Sequence, residues 1–230
     1  ALGDVFAPPL DLAPGLHPTA VIDPTAEIGA DPWVGAFTVI GAGARLGAGA
    51  RIAAGVTVGR GAALGERAVL HPGVRIGPGV RTGARFIAQP NAVIGADGFS
   101  YVTPERGAVE SAKETGRVAE ESRNTELRRI ASLGAVEIGD DVEIGAGTCI
   151  DRGTVAPTRI GSGTKIDNLV QIGHNCRIGR TCLICGHVGL AGSVTVGDRV
   201  VLGGKTWVAD HLNIGADSVL AGGSLVGTHV

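Results

Sequence analysis

Methionine is absent from all 230 residues, and the chain opens on Ala1. Translation starts with Met, so the expectation is either removal of that residue or a piece of a longer protein. Aromatic side chains make up only 3% of the chain, too few to fill a core, which must therefore be built from Val, Ile, Leu and Ala. No uninterrupted apolar run reaches the ~18 residues of a membrane span. The N-terminus lacks the basic-then-apolar order of a signal peptide. Neither sign of charge dominates: the net charge is −2, which gives no electrostatic ground for nucleic-acid binding. Glycine is abundant at 39 residues, but no Gly-X-Y period runs through it, which excludes collagen. With 18% charged and 44% hydrophobic residues, the chain is the reverse of a disordered one.

What is present is a repeat of six. Stepping by six from Ile22 reaches Ile28, Val34, Ile40 and onward to Ile94; a second run covers Ile138, Ile144 and Ile150; a third runs from Ile160 to Val226. Of these 28 positions, 26 are Val, Ile or Leu, and the next residue is Gly at 18 of them. Four residues after the aliphatic stands a small or β-branched side chain, as at Ala26, Thr38, Val56, Val142, Thr164, Val170, Cys176 and Ser218. A period of six fits neither a helix at 3.6 nor a plain strand at 2. It fits a short strand, then a bend, repeated, with both side chains pointing inward. Three such strands close a triangular coil of 18 residues, and coils stack at about 4.8 Å through backbone hydrogen bonds. The expectation is an all-β parallel β-helix of a little over nine coils. The glycines are expected at the bends, where positive φ carries no Cβ penalty.

The frame breaks twice, between Ile94 and Ile138 and between Ile150 and Ile160, and then returns. Residues 105–129 hold 12 of the 42 charged residues, so a solvated loop, about 99–135, is expected to leave the helix. Long loops of this kind are often functional. Residues 1–16 are rich in Pro and Gly and read as a linker from a missing upstream domain, leaving 17–230 as the β-helix domain. The repeat still runs at Val226 with no polar cap after it, so both ends look cut.

Departures from so regular a repeat are the candidates for function. His174 lies two residues after Ile172, at an outward turn, and adding 18 places Gly192 over it in the next coil. His211 follows Val208 by three, near the same side; His187 falls on the preceding face. Asp151 and Asp167 occupy the slot that is usually Gly, and Asn168 follows the second. Solvent exposure of the histidines and turn-forming Asp are the bland alternatives. Convergence of acid, imidazole and a backbone donor is the set that general-base chemistry uses. Cys176 and Cys182 fall in the small inward slot and read as core packing; Cys182 and Cys185 have half the spacing of a zinc site, but no second pair exists. No metal or cofactor is called for. Unpaired core thiols without a signal peptide suit a reducing cytoplasm.

Three stretches carry a family resemblance: Asn91-Ala92-Val93-Ile94-Gly95-Ala96-Asp97-Gly98-Phe99, then Glu143-Ile144-Gly145-Ala146-Gly147-Thr148-Cys149-Ile150-Asp151-Arg152-Gly153, then Lys165-Ile166-Asp167-Asn168-Leu169-Val170-Gln171-Ile172-Gly173-His174-Asn175. Over about residues 17–230 the chain resembles the left-handed β-helix acyltransferases, and among them the UDP-3-O-acylglucosamine N-acyltransferase family of lipid A (lipopolysaccharide) biosynthesis. The resemblance implies a homotrimer with sites between subunits. It implies acyl carrier protein as donor and the 2-amine of a UDP-sugar as acceptor. By motif, it makes His174 the general base and Asp167 its support. The Gly192 N–H becomes the oxyanion donor and His211 an assisting histidine, with Asn168 and Gln171 lining the substrate site. Other hexapeptide acyltransferases, a γ-type zinc carbonic anhydrase and a non-catalytic scaffold are the alternatives. The histidine spacings do not suit the zinc enzyme.

Overall fold

The computed structural model describes residues 13–105, 107–119, 124 and 126–230. Most of the segment read as a linker, residues 1–12, lies outside the described residues, as do Arg106, Glu120, Glu121 and Arg123 of the charged loop. The rest forms a left-handed parallel β-helix with three faces. Face A stacks ten two-residue strands from Gly15–Leu16 to Val219–Leu220; face B stacks ten, from Val21–Ile22 to Leu225–Val226; face C stacks nine, from Glu27–Ile28 to Asn213–Ile214. Gly15–Leu16 pairs with Trp33–Val34, so the winding begins one strand earlier than the linker reading allowed.

The aliphatic positions point inward, with Ile40, Ile52, Leu70, Ile94, Ile150, Ile172 and Leu202 fully buried. The second inward slot is filled by Val, Ala, Thr or Cys. Its threonines satisfy their hydroxyls on the turn of the following coil: Thr38 Oγ1 donates to Ala53 O at 3.0 Å and Thr164 Oγ1 to Gly179 O at 2.9 Å. Cys176 and Cys182 do the same with their thiols, to Ala191 O at 3.1 Å and Gly197 O at 3.2 Å. Burial pushes the Cys176 thiol up to about 12, so it is an inert packing group. Cys149 and Cys185 lie outside that slot, and both are half-exposed.

The glycine slot has a different cause from the one expected. Positive φ falls two residues later, at the third position after the aliphatic, and 15 described non-glycine residues adopt it, Asp31, Asn175 and His211 among them. The Gly directly after the aliphatic is required by close stacking. A Cβ on Gly47 would stand 2.5 Å from Glu66 N, and one on Gly161 2.6 Å from Gly179 C. At the corner between faces C and A this slot is Gly in every coil, from Gly29 to Gly215. The other two corners admit side chains there, including Asp151 and Asp167.

The first interruption is an arm, residues 97–135, and not a bare loop. It contains a two-stranded antiparallel ribbon, Tyr101–Val102 with Arg128–Arg129, and a helix, Ala108–Thr115. The coil closes beneath it, Arg81 pairing with Glu137 and Thr82 with Ile138. The second interruption lengthens a single coil, and Ile138 pairs with Ile160 across it.

Stacking distance and backbone conformation separate in a paired test. Gly47→Ala should lower stability by about 1–3 kcal/mol, because the next coil has to give way. Gly43→Asn should stay within about 0.5 kcal/mol: Gly43 has φ +64 and open space around it, and Asn tolerates the left-handed region. Thermal melting of both variants decides between the two causes.

Candidate functional site

His174 follows face B, at the corner between faces B and C. Its ring is held in a slot between two glycines that come from distant parts of the chain. A Cβ on Gly98, in the arm, would stand 2.7 Å from His174 Cβ and 3.0 Å from its ring; one on Gly192, a coil above, would stand 2.7 Å from Cε1 and 2.9 Å from Nε2. Gly98 is fixed by its N–H, which donates to Ser132 Oγ at 3.1 Å.

The ring's proton position follows from its neighbours. Asn175 Oδ1 lies 2.9 Å from His174 Nδ1. The same oxygen accepts the Thr154 N–H at 3.2 Å and the Thr154 hydroxyl at 2.6 Å, while Asn175 Nδ2 donates to Ala156 O at 3.3 Å. A main-chain N–H can only donate, so the atom facing it is the amide oxygen and His174 Nδ1 carries the proton. Nε2 is left with its lone pair at the Gly192 edge.

This edge opens into a cleft of about 560 Å³ between the coils and the arm. The coils contribute Asp151, Gln171, His174 and Gly192; the arm contributes Asp97, Phe99, Tyr101 and Arg129. Arg129 Nη2 pairs with Asp97 Oδ2 at 3.1 Å and lies over the Tyr101 ring, whose neighbour Phe99 is 5.0 Å away. Asp151 is half-buried and shares the cleft with Gln171. Burial raises its carboxyl above the usual range, against the opposing pull of Gln171 and His174.

The residues named from sequence divide between two corners. His174, Gly192 and Gln171 share the cleft. Asp167 and Asn168 stand at the corner between faces A and B, so within one chain the width of face B separates them from His174. Asp167 precedes face B and His174 follows it, so a single chain does not bring the two together. Asp167 Oδ1 accepts the Asn168 N–H at 2.7 Å within its own turn, and Asn168 Oδ1 accepts the Ala146 N–H of the preceding coil at 2.6 Å. His211 lies one coil above Gly192, its N–H donating to Gly192 O at 3.1 Å, and does not line the cleft. His187 sits at the other corner, above Asn168. No cluster of three metal-ligating side chains occurs among the described residues.

Sequence reasoning passed over Asn175, Gly98 and the partnership of Asp151 with His174. Asp151 was visible as a side chain in the glycine slot; its proximity to His174 was hidden by the lengthened coil, which makes the step between them 23 residues rather than 19.

Two outcomes follow. Nitrogen-15 NMR of the imidazole should show the Nδ1–H form in the neutral chain, reverting toward Nε2–H in Asn175→Ala. Asp151→Asn should raise the melting temperature at pH 7. A carboxyl with a raised folded pKa destabilises the fold above that pKa, so the gain should shrink as pH falls toward the ordinary carboxylate range.

Comparison with known proteins places these features in context. The family described as "Bacterial transferase hexapeptide (six repeats)" matches residues 25–60 and 157–192. A UDP-3-O-acylglucosamine N-acyltransferase of Ruegeria pomeroyi is 58% identical over 57 residues, 25% of this chain and 16% of that protein. The enzyme of that name from Bordetella pertussis is 43% identical over 151 residues, 64% of this chain and 37% of that protein. The matched stretches thus span between about a sixth and just over a third of these curated relatives. Among solved structures, an Arabidopsis UDP-N-acetylglucosamine acyltransferase superposes with a TM-score of 0.75 at 26% identity, covering 94% of this chain and 68% of that one. The chain therefore carries the hexapeptide transferase repeat on the β-helix fold that sugar-nucleotide acyltransferases use.

Proposed function

We propose that this chain is the β-helix part of a UDP-3-O-acylglucosamine N-acyltransferase, which moves a (hydroxy)acyl chain from acyl carrier protein to the sugar 2-amine. The observation that carries the reading is the His174 slot: an imidazole with Nδ1–H committed to Asn175 and its Nε2 edge against Gly192. A glucosamine ammonium cannot attack until it loses a proton, and an imidazole can take it near neutral pH. A backbone N–H aimed at the developing thioester oxyanion contributes roughly 3 kcal/mol. The Gly192 N–H has no acceptor among the described residues. His211 assists by holding Gly192 O through its own N–H. The thioester is already activated, so no covalent acyl-enzyme is needed, and no cysteine lines the cleft.

Asp167 and Asn168 enter this scheme from a neighbouring copy. Support comes from the polarity of the faces. Face C presents Glu27, Arg45, Arg81, Glu137, Arg159 and Arg177 outward, as a solvated face does. Faces A and B leave Val39, Leu183, Trp207, Val219 and Leu225 exposed, and Phe37 and Leu169 protrude at the corner they share. A homotrimer that buries this corner carries Asp167 and Asn168 toward another copy's His174 and shields the apolar sides. All four cysteines are unpaired, which fits a reducing cytoplasm, and among the described residues no helix is long and apolar enough to cross a membrane.

O-acyl transfer to a UDP-sugar is the second reading, favoured by the superposition on a UDP-N-acetylglucosamine O-acyltransferase of Moraxella catarrhalis (TM-score 0.65, 25% identity). Assay with hydroxyacyl carrier protein separates the two by acceptor, amine against hydroxyl. In either case His174→Ala should leave the assembly folded and reduce turnover a hundredfold or more. A near-normal rate in that variant contradicts the proposal.

A further inference from the structure

We infer that Asp151 is the residue that recognises the acceptor, its carboxylate holding the ammonium form of an amine in the cleft beside the imidazole that deprotonates it. The inference rests on the acyl-transfer reading and names the acceptor chemistry of that site.

Of the two carboxylates in the cleft, Asp97 is paired with Arg129 at 3.1 Å. Asp151 has no cation within ion-pair distance among the described residues; the neutral Gln171 lines the same cleft. The adjacent cation, Arg152, is turned away, donating to Gly134 O at 2.9 Å and Pro78 O at 2.8 Å. A half-buried carboxylate without a counter-charge is unfavourable to the fold, as its raised pKa reflects. Its position in the glycine slot is not a structural requirement, since glycine or alanine fills that slot in the coils directly above, at Gly173 and Ala191. The missing counter-charge is what a ligand ammonium supplies.

Its location suits that task. Asp151 and His174 line one cleft but lie more than 4.0 Å apart, without a direct ion pair. A nitrogen placed between them donates one hydrogen bond to the carboxylate and presents another N–H to His174 Nε2. The ammonium gives its first proton to the imidazole, which releases it to solvent. The neutral amine then attacks the thioester carbonyl: the C–N bond forms and the C–S bond breaks. The second proton leaves nitrogen through the same imidazole and ends on the departing thiolate as a thiol. A hydroxyl acceptor brings no positive charge and leaves Asp151 uncompensated, so the residue selects amine over alcohol.

The test is equilibrium binding, by calorimetry at pH 7, of 3-O-acylated UDP-glucosamine and of its 2-hydroxy counterpart to the intact chain and to Asp151→Asn. The expected result is at least tenfold tighter binding of the amine by the unaltered chain. The Asn variant, melting no lower than the parent, should lose that preference, and Asp151→Glu should restore part of it. Equal affinity for the two compounds in the unaltered chain, no binding of either, or the same preference in Asp151→Asn overturns the inference. Loss of the proposed function reads differently: the amine preference stays intact while acyl transfer from hydroxyacyl carrier protein is absent.

Discussion

The coil-to-coil hydrogen-bond ladder governs everything else in this structure. Most strands are only two residues long and none exceeds four, so no strand is stable by itself, and the backbone is satisfied only by the coils before and after it. The ladder fixes how closely successive turns approach. That approach forbids a Cβ after the aliphatic residue at the corner between faces C and A, where every coil has glycine. At the two corners flanking face B the approach is as close where glycine remains (a Cβ on Gly59 would stand 2.6 Å from Pro78 N), yet other coils there place Asp, His, Gln and Cys in the same slot. The chemistry of the molecule sits where the stacking constraint permits a side chain.

The winding was legible because its signal is repeated: Ile22 to Ile94 and Ile160 to Val226 keep one phase, and each inward aliphatic confirms the last. The glycine slot was legible as a pattern but not as a cause. Sequence shows that Gly follows the aliphatic; only the distance to the next coil shows that contact, and not backbone conformation, selects it. The arm between Ile94 and Ile138 announced itself by charge and by loss of phase. Its ribbon and helix are set by contacts that the sequence does not order, such as Lys113 Nζ with Asp210 Oδ2 at 3.0 Å, a pair 97 residues apart.

For the site, arithmetic succeeded where the coil has its regular length. His174 and Gly192 are 18 residues apart and meet as that spacing requires. It failed where a coil is lengthened, so Asp151 was seen as a slot exception without a partner. Asp167, seven residues before His174, shares a motif with it and still stands across face B. Nearness in sequence is misleading in a triangular coil, where seven residues carry the chain past a whole face. Asn175 was hidden for the opposite reason: it is the next residue, and its role depends on the Thr154 hydroxyl and N–H that fix its amide.

The cleft combines three sources of order: a slot of two glycines for the imidazole, an amide that sets its tautomer, and an arm whose aromatic and arginine side chains close the outer wall. The central claim is that chemistry takes place at the His174–Gly192 edge. Its most direct test is a crystal structure of the chain with the acylated amine product. The account predicts the new amide oxygen within about 3 Å of Gly192 N–H, with the amide nitrogen facing His174 Nε2. Product bound in ordered form away from that edge, with the cleft beside His174 empty, would contradict it.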